Sequence, residues 1–251
     1  MRQAINYIAG IAISGLVGIT CMAQDDEPLG YTYATYYVCD VATQDDMDAI
    51  VEANEKPVFD KWVKDEKLLG WGYLAHNTGG RWRRLEYHTS PTLADALKSQ
   101  AAIFTEIYDD NQAAGEARSK ACQAHDDYIW AFEQGSGPGT DRGKASLSVY
   151  YVCDIPREDR ADEIVAEVIA PRLRVLQEEG KIKSWGWSSH VVGGEYRRLQ
   201  TMTGADHASV LAARGELLQY MDEDHKAAAD EFSTICGSHS DYLWDIVHET
   251  A

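Results

Sequence analysis

Two histidine–aspartate sets stand at matching places in this chain, His125 with Asp40 and His239 with Asp154. Imidazole titrates near neutral pH, and a nearby carboxylate makes it the ordinary apparatus of general acid–base catalysis. Each set has the same companions: His76 and Arg84 for the first, His190 and Arg198 for the second. A structural account competes with the catalytic one. In it Arg84 pairs with Asp40 to satisfy a partly buried charge, His125 caps a helix end, and His76 ends a strand beside a turn. Tyr36 and Tyr150 add phenols that can offer a ligand both apolar area and a hydrogen bond. Other chemistries lack their signatures. No His-Glu-x-x-His or paired Cys-x-x-Cys spacing occurs, no Gly-x-Ser-x-Gly elbow, and no glycine-rich loop between a strand and a helix. The expectation is therefore no metal and no cofactor.

These residues match because the chain is duplicated. Tyr36-Tyr37-Val38-Cys39-Asp40 recurs as Tyr150-Tyr151-Val152-Cys153-Asp154, and the register then holds without a gap. Trp71-Gly72 maps onto Trp185-Gly186, Gly79-Gly80 onto Gly193-Gly194, Cys122 onto Cys236, and Trp130 onto Trp244. Roughly a third of aligned positions are identical, and the repeat is far longer than the units of a solenoid. The molecule is thus a covalent pseudo-dimer of two domain-sized copies, spanning 32–132 and 146–249. The Gly-Ser-Gly-Pro-Gly stretch within 133–145 reads as a flexible linker.

The first 23 residues read as a signal peptide: Arg2, an apolar run from Ile8 to Thr20, then Cys21-Met22-Ala23. The apolar run is too short for a spanning helix. An exported protein, periplasmic or extracellular, with no membrane contact after cleavage is expected. Four cysteines then remain, two per copy, and in that compartment they argue for disulfides. Of three connectivities, symmetry favours Cys39–Cys122 with Cys153–Cys236. The formal net charge of −18, from 41 acidic and 23 basic residues among 251, repels phosphate backbones and excludes nucleic acid as a partner.

The elements that must carry these residues follow from periodicity. Tyr33–Val41 and Leu147–Ile155 suit strands. Acidic helix starts come next, with Pro57 and Pro171 inside the helices, where each should kink or split them. Leu68–His76 and Arg81–Thr89, with Ile182–His190 and Glu195–Thr203, read as hairpins over the glycine turns. Long helices over 93–121 and 208–235 and short strands at Tyr128–Phe132 and Tyr242–Val247 complete each copy. The order is β-α-β-β-α-β, an α+β unit of ferredoxin-like type. One face of such a sheet is bare, and the attached twin is its obvious cover.

This order, with Gly-Trp-Gly on the second strand and the paired copies, resembles the dimeric α+β barrel superfamily. That group contains the antibiotic-biosynthesis monooxygenase, EthD-like and NIPSNAP-type domains and the duplicated chlorite dismutases. The topology gathers Asp40, His76, Arg84 and His125, with their counterparts, at one rim. If Cys39 faces the helix, alternation turns Tyr36, Val38 and Asp40 into the barrel. The resemblance implies an exported small-molecule-binding protein or a cofactor-independent oxygenase or isomerase acting on a small apolar or aromatic compound. A non-catalytic structural or interaction protein is the alternative. The chlorite-dismutase likeness implies haem, with His239 as its proximal ligand. A fused pseudo-dimer closes its barrel alone, so a monomer is expected to suffice, although a homo-oligomer fits as well.

Overall fold

Residues rich in β-branched and aromatic side chains open each half as β1, Gly30–Val38, and β5, Ala145–Val152. The computed structural model describes residues 27–137 and 140–250, and the leader expected over residues 1–23 lies outside them. In the first half α1, Gln44–Ile50, passes through a π-helical turn, Val51–Glu55, straight into α2, Lys56–Lys64. In the second, α5, Glu158–Ile164, passes through the π-helical turn Val165–Ile169 into α6, Ala170–Glu178. Pro57 and Pro171 sit in the first turn after each π segment. The helices therefore run on rather than splitting. A proline lacks one donor, and a widened turn re-registers the ladder around that gap.

The hairpins are β2, Gly70–Thr78, with β3, Arg84–Ser90, and β6, Ser184–Val192, with β7, Arg198–Gly204. They begin two or three residues later than periodicity suggests. The return helices are each broken in two. Thr92 caps α3, Leu93–Tyr108, its hydroxyl accepting from the Asp95 amide at 3.1 Å, and α4, Gln112–Ala121, follows. A capping box of Asp206 and Ser209 starts α7, His207–Asp224, before α8, Lys226–Ile235. The closing strands are far longer than expected: β4 is Ala124–Gly135 and β8 is Ser238–Thr250. Their length has a cause, since the two partners are staggered along each: β4 meets β1 over 124–132 and β6 over 129–135, and β8 meets β5 over 238–245 and β2 over 243–250. The first three residues assigned to the linker, Glu133 to Gly135, thus belong to β4.

The strands form one closed barrel in the order β1-β3-β2-β8-β5-β7-β6-β4. Within each half the order is that of a ferredoxin-like sheet. Between halves, β8 pairs antiparallel with β2 and β4 with β6. The eight α-helices of the described residues lie outside. Two helix–sheet cores result, one around Phe59, Trp71 and Ile103, the other around Leu173, Trp187 and Leu217. A third core fills part of the barrel interior with Tyr36, Trp82, Tyr128, Tyr150, Tyr242 and Trp244. The β2–β3 turn supplies one of the tightest joints. Gly79 has φ of +142°, and a Cβ there would meet the Tyr242 ring of the other half at 2.7 Å. Gly193 repeats the arrangement against Tyr128, with φ of +148° and a contact of 2.4 Å.

Cys39–Cys122 and Cys153–Cys236 are bonded, each across 83 residues, tying the end of a first strand to the end of a return helix. Closing loops of that length should stabilise the fold by about 4.5 kcal/mol apiece on the chain-entropy account. Serine at both Cys39 and Cys122 should therefore lower the guanidinium midpoint clearly. Coincident denaturation curves for the double variant and the oxidised parent would contradict this.

Candidate functional site

Strand alternation sorts the residues of β1 and β5 to one face or the other. Tyr37 and Cys39 pack toward the helices, while Ala34 and Tyr36 belong to the interior cluster, as does Tyr150 on β5. Tyr36 and Tyr150 meet edge to face at 5.5 Å. Around them Trp82 stacks on Tyr36 at 4.3 Å and on Tyr242 at 5.0 Å. Trp82 and Tyr196, from the two hairpin connections, thus help to fill the end of the barrel where β1 and β5 finish.

The other end is hollow. A cavity of about 910 Å³ runs from Tyr36 and Tyr150 to the end where β1, β2, β5 and β6 begin. Residues 140–144 of the connection between the halves lie along its mouth. Its charged lining is confined there: Asp141, Arg142, Lys144 and Glu249. Arg142 donates to Glu249 and to the Tyr87 hydroxyl, which itself hydrogen-bonds Glu249. Burial, with this carboxylate a smaller cause, holds the Tyr87 phenol well above its ordinary pKa. The deeper wall is uncharged. Ser146 Oγ and Tyr150 Oη line it, both buried and without a hydrogen-bond partner among the described residues. Burial raises the pKa of Tyr150, so this phenol keeps its proton.

The polar rim reads differently from expectation. Asp40 and Asp154 lie just past their strands and are exposed, so neither turns into the barrel. Asp40 Oδ1 accepts from the Ala42 amide at 2.8 Å, and Asp154 pairs with Arg157 at 2.7 Å. His125 does not cap a helix: it lies on β4, 3.3 Å from Asp127 rather than beside Asp40. His239 likewise sits 2.8 Å from Asp241 on β8. Arg84 does not meet Asp40 either. It grips Asp48 of α1 through two bonds of 2.5 and 2.6 Å, and Arg198 grips Asp162 of α5 at 2.7 and 2.6 Å. These bidentate pairs fasten a helix to the outer face of the sheet. His76 Nδ1 accepts from Arg83 at 2.8 Å, and His190 Nδ1 from Arg197 at 2.7 Å. Burial first, then the adjacent guanidinium, lowers both histidine pKa values and keeps the rings neutral.

A second constellation lies between sheet and helices, in the first half alone. Glu55 is fully buried and Glu86 nearly so. Arg118 Nε donates to Glu55 at 2.8 Å, Tyr108 donates to the same carboxylate, and Arg118 also donates to the Tyr37 hydroxyl. Glu86 lies 3.6 Å from the same guanidinium. Burial first, then the charge of Glu55, raises Glu86 well above the carboxylate range, so it keeps its proton. A cavity of about 190 Å³ opens beside them, lined by Tyr37, Gln100, Phe104, Arg118, His125 and Asp127. The second half has Ile169, Gln200 and Phe232 where the first has Glu55, Glu86 and Arg118. There Gln200 accepts from Arg214 at 2.8 Å, and the Phe232 ring meets Tyr151 edge-on at 5.4 Å.

Sequence reasoning missed this constellation and the barrel's hydroxyl wall, because it looked where the copies agree. The available signal was the opposite one: charged Glu86 and Arg118 against Gln200 and Phe232, and Ser148 against Ala34. The haem implied for His239 does not fit. That ring is half-exposed and held by Asp241, and the space beside it is occupied by Tyr151, 5.7 Å away.

No family model matches the chain, and no curated protein matches its sequence. Solved structures do. A protein from Lactobacillus acidophilus described as a candidate monooxygenase superposes with a TM-score of 0.63 at 7% identity, covering 89% of this chain and 96% of that one. An anthrone oxidase-like protein gives 0.54 at 14% identity, with 89% and 94% covered. Chlorite dismutase from Candidatus Nitrospira defluvii gives 0.55 at 9% identity, with 88% and 92% covered. At such identities the likeness is one of fold. With its closed eight-stranded barrel, outer helices and two ferredoxin-like halves, the chain has the dimeric α+β barrel fold, both halves being supplied by one polypeptide.

Proposed function

We propose that this is an exported protein that binds a small, mainly apolar molecule inside its barrel. The observation that carries the reading is the 910 Å³ cavity, within the range that encloses drug-sized ligands. A purely structural role calls for a filled barrel, and only the aromatic end is filled. Tyr36 and Tyr150 are the proposed ligand contacts, at the cavity's inner end. The two disulfides support an oxidising compartment. No helix among the described residues is long and apolar enough to cross a membrane.

A catalytic reading rests on a different observation, the acid pair present in one half only. His125 lines the small cavity beside Arg118 and Asp127, and a protonated Glu86 lies behind them. Groups held away from their ordinary pKa in a cleft are the usual equipment for moving protons. On this reading the first half performs the cofactor-independent chemistry, with His125 and Asp127 handling protons. Asp40, Asp154 and His239 take no part. Arg84, Arg198, His76 and His190 hold the frame.

Two outcomes are expected. The parent should take up 1-methylpyrene with quenching of tryptophan emission, since Trp130 lines the cavity. Ser148→Phe, which fills the cavity, should weaken that uptake at least about tenfold while the fold persists by circular dichroism. Undiminished uptake by the filled variant would place the probe elsewhere. The second outcome concerns pH. Unfolding lets Glu86 release its proton near the ordinary value of 4.5, whereas the native protein retains it. The native state thus binds more protons above that pH, and this group's contribution to stability falls as pH rises toward its raised value. Glutamine, which the second half uses here, cannot ionise. Glu86→Gln should therefore gain in Tm over the parent progressively as pH rises above about 5. A Tm difference that does not change with pH would argue against a protonated Glu86.

A further inference from the structure

The duplication supplies an internal control for the barrel wall. Positions equivalent in the two halves face the same cavity, yet they differ in kind. Ala34, Gly70 and Leu74 from the first half correspond to Ser148, Ser184 and Ser188 from the second. Tyr87 of the first half, tied to Arg142 at the mouth, corresponds to Thr201. The second-half side therefore carries three hydroxyl groups, of Ser148, Ser184 and Ser188, at places where the first-half side has none. Closing the barrel does not require this, because the first half builds the same strands without the serines.

The two sides also differ in how completely their polar atoms are paired. In the first half Trp130 Nε1 donates to Tyr36 Oη at 3.2 Å, and Thr32 bonds Thr89 at 2.8 Å. In the second half both arrangements are broken. Thr203 turns to Ser184 at 2.7 Å, which leaves Ser146 Oγ alone. Trp244 Nε1 and Tyr150 Oη each lack a partner as well. Tyr150 and Trp244 have no measurable exposure, and Ser146 has 1%. An unpaired buried hydroxyl costs about 1–3 kcal/mol, and the hydroxyls of Tyr150 and Ser146 both line this cavity.

We infer that the barrel takes a neutral amphipathic molecule with a hydroxyl or carbonyl oxygen on one edge, that oxygen seated against Tyr150 and Ser146 and the apolar edge against Leu74 and Ala34. This deepens the binding reading given above and rests on it. Neutrality follows from the wall, whose charged groups stand only at the mouth. Tyr150 and Ser146 can each donate and accept, so either a hydroxyl or a carbonyl completes them.

The test compares 1-hydroxypyrene with 1-methylpyrene, which share shape and differ in one oxygen, by tryptophan quenching on the full mature chain. The parent should bind 1-hydroxypyrene about fivefold more tightly, the worth of one neutral hydrogen bond. Tyr150→Phe should abolish that preference, the ratio of the two affinities falling to about one. Ser146→Ala, a milder change, should reduce the preference, which keeps the test open if Tyr150→Phe folds poorly. Equal binding of the two probes by the parent overturns the oriented wall and leaves the binding reading intact. So does a preference that survives both substitutions. Failure of both probes to bind removes the binding reading, and this inference with it.

Discussion

Backbone hydrogen bonding between the halves is the constraint from which the rest follows. A four-stranded ferredoxin-like sheet has two open edges, and unpaired strand edges invite uncontrolled association. Here β2 meets β8 and β6 meets β4, so each edge of one half is closed by the other. Closure also fixes the long strands β4 and β8, which reach past their own half's partner to meet the edge of the other half. It turns two naked sheet faces inward at once and encloses a volume that the side chains only half fill. The aromatic cluster at one end is the packing solution, with offset and edge-to-face pairs worth about 0.5–1.5 kcal/mol each beyond their burial. The cavity is what closure leaves over.

Residues common to the halves and residues peculiar to one do different work. Shared sets maintain the frame: Arg84 with Asp48 and Arg198 with Asp162, His76 with Arg83 and His190 with Arg197, and the paired cysteines. The first half alone carries the Glu55–Glu86–Arg118 group, and the second alone carries the serine wall. Burying two carboxylates is costly unless they are compensated, and Ile169 and Phe232 show that this layer packs without them.

Much of the architecture was legible in the sequence because hydrophobic periodicity, glycine turns and the repeat all report on backbone. The order of elements, the cysteine pairing and the inward facing of Tyr36 follow from that information. Helix breaks at Asp109–Asn111 and the π-helical turns before Pro57 and Pro171 do not, since they depend on how a local ladder accommodates its neighbours. The site was less legible, for a physical reason. Asp40 lies beyond the last paired residue of β1, where alternation no longer dictates direction, so its expected facing failed. Arg84 chose Asp48 over Asp40 because a helix one layer away presents both carboxylate oxygens to its fork. Trp82 and Tyr196 enter the barrel from connections, where no periodicity announces them.

The covalent connection that lies along the cavity mouth has a consequence for how such an interior can change. In an assembly of two identical chains, every substitution facing the axis is copied across it, so the enclosed space stays symmetric. Joining the chains lifts that rule: one gene position now alters one wall. An enclosed space of this kind can become lopsided by single steps, and chemistry on one flank can drift while its twin keeps the scaffold standing.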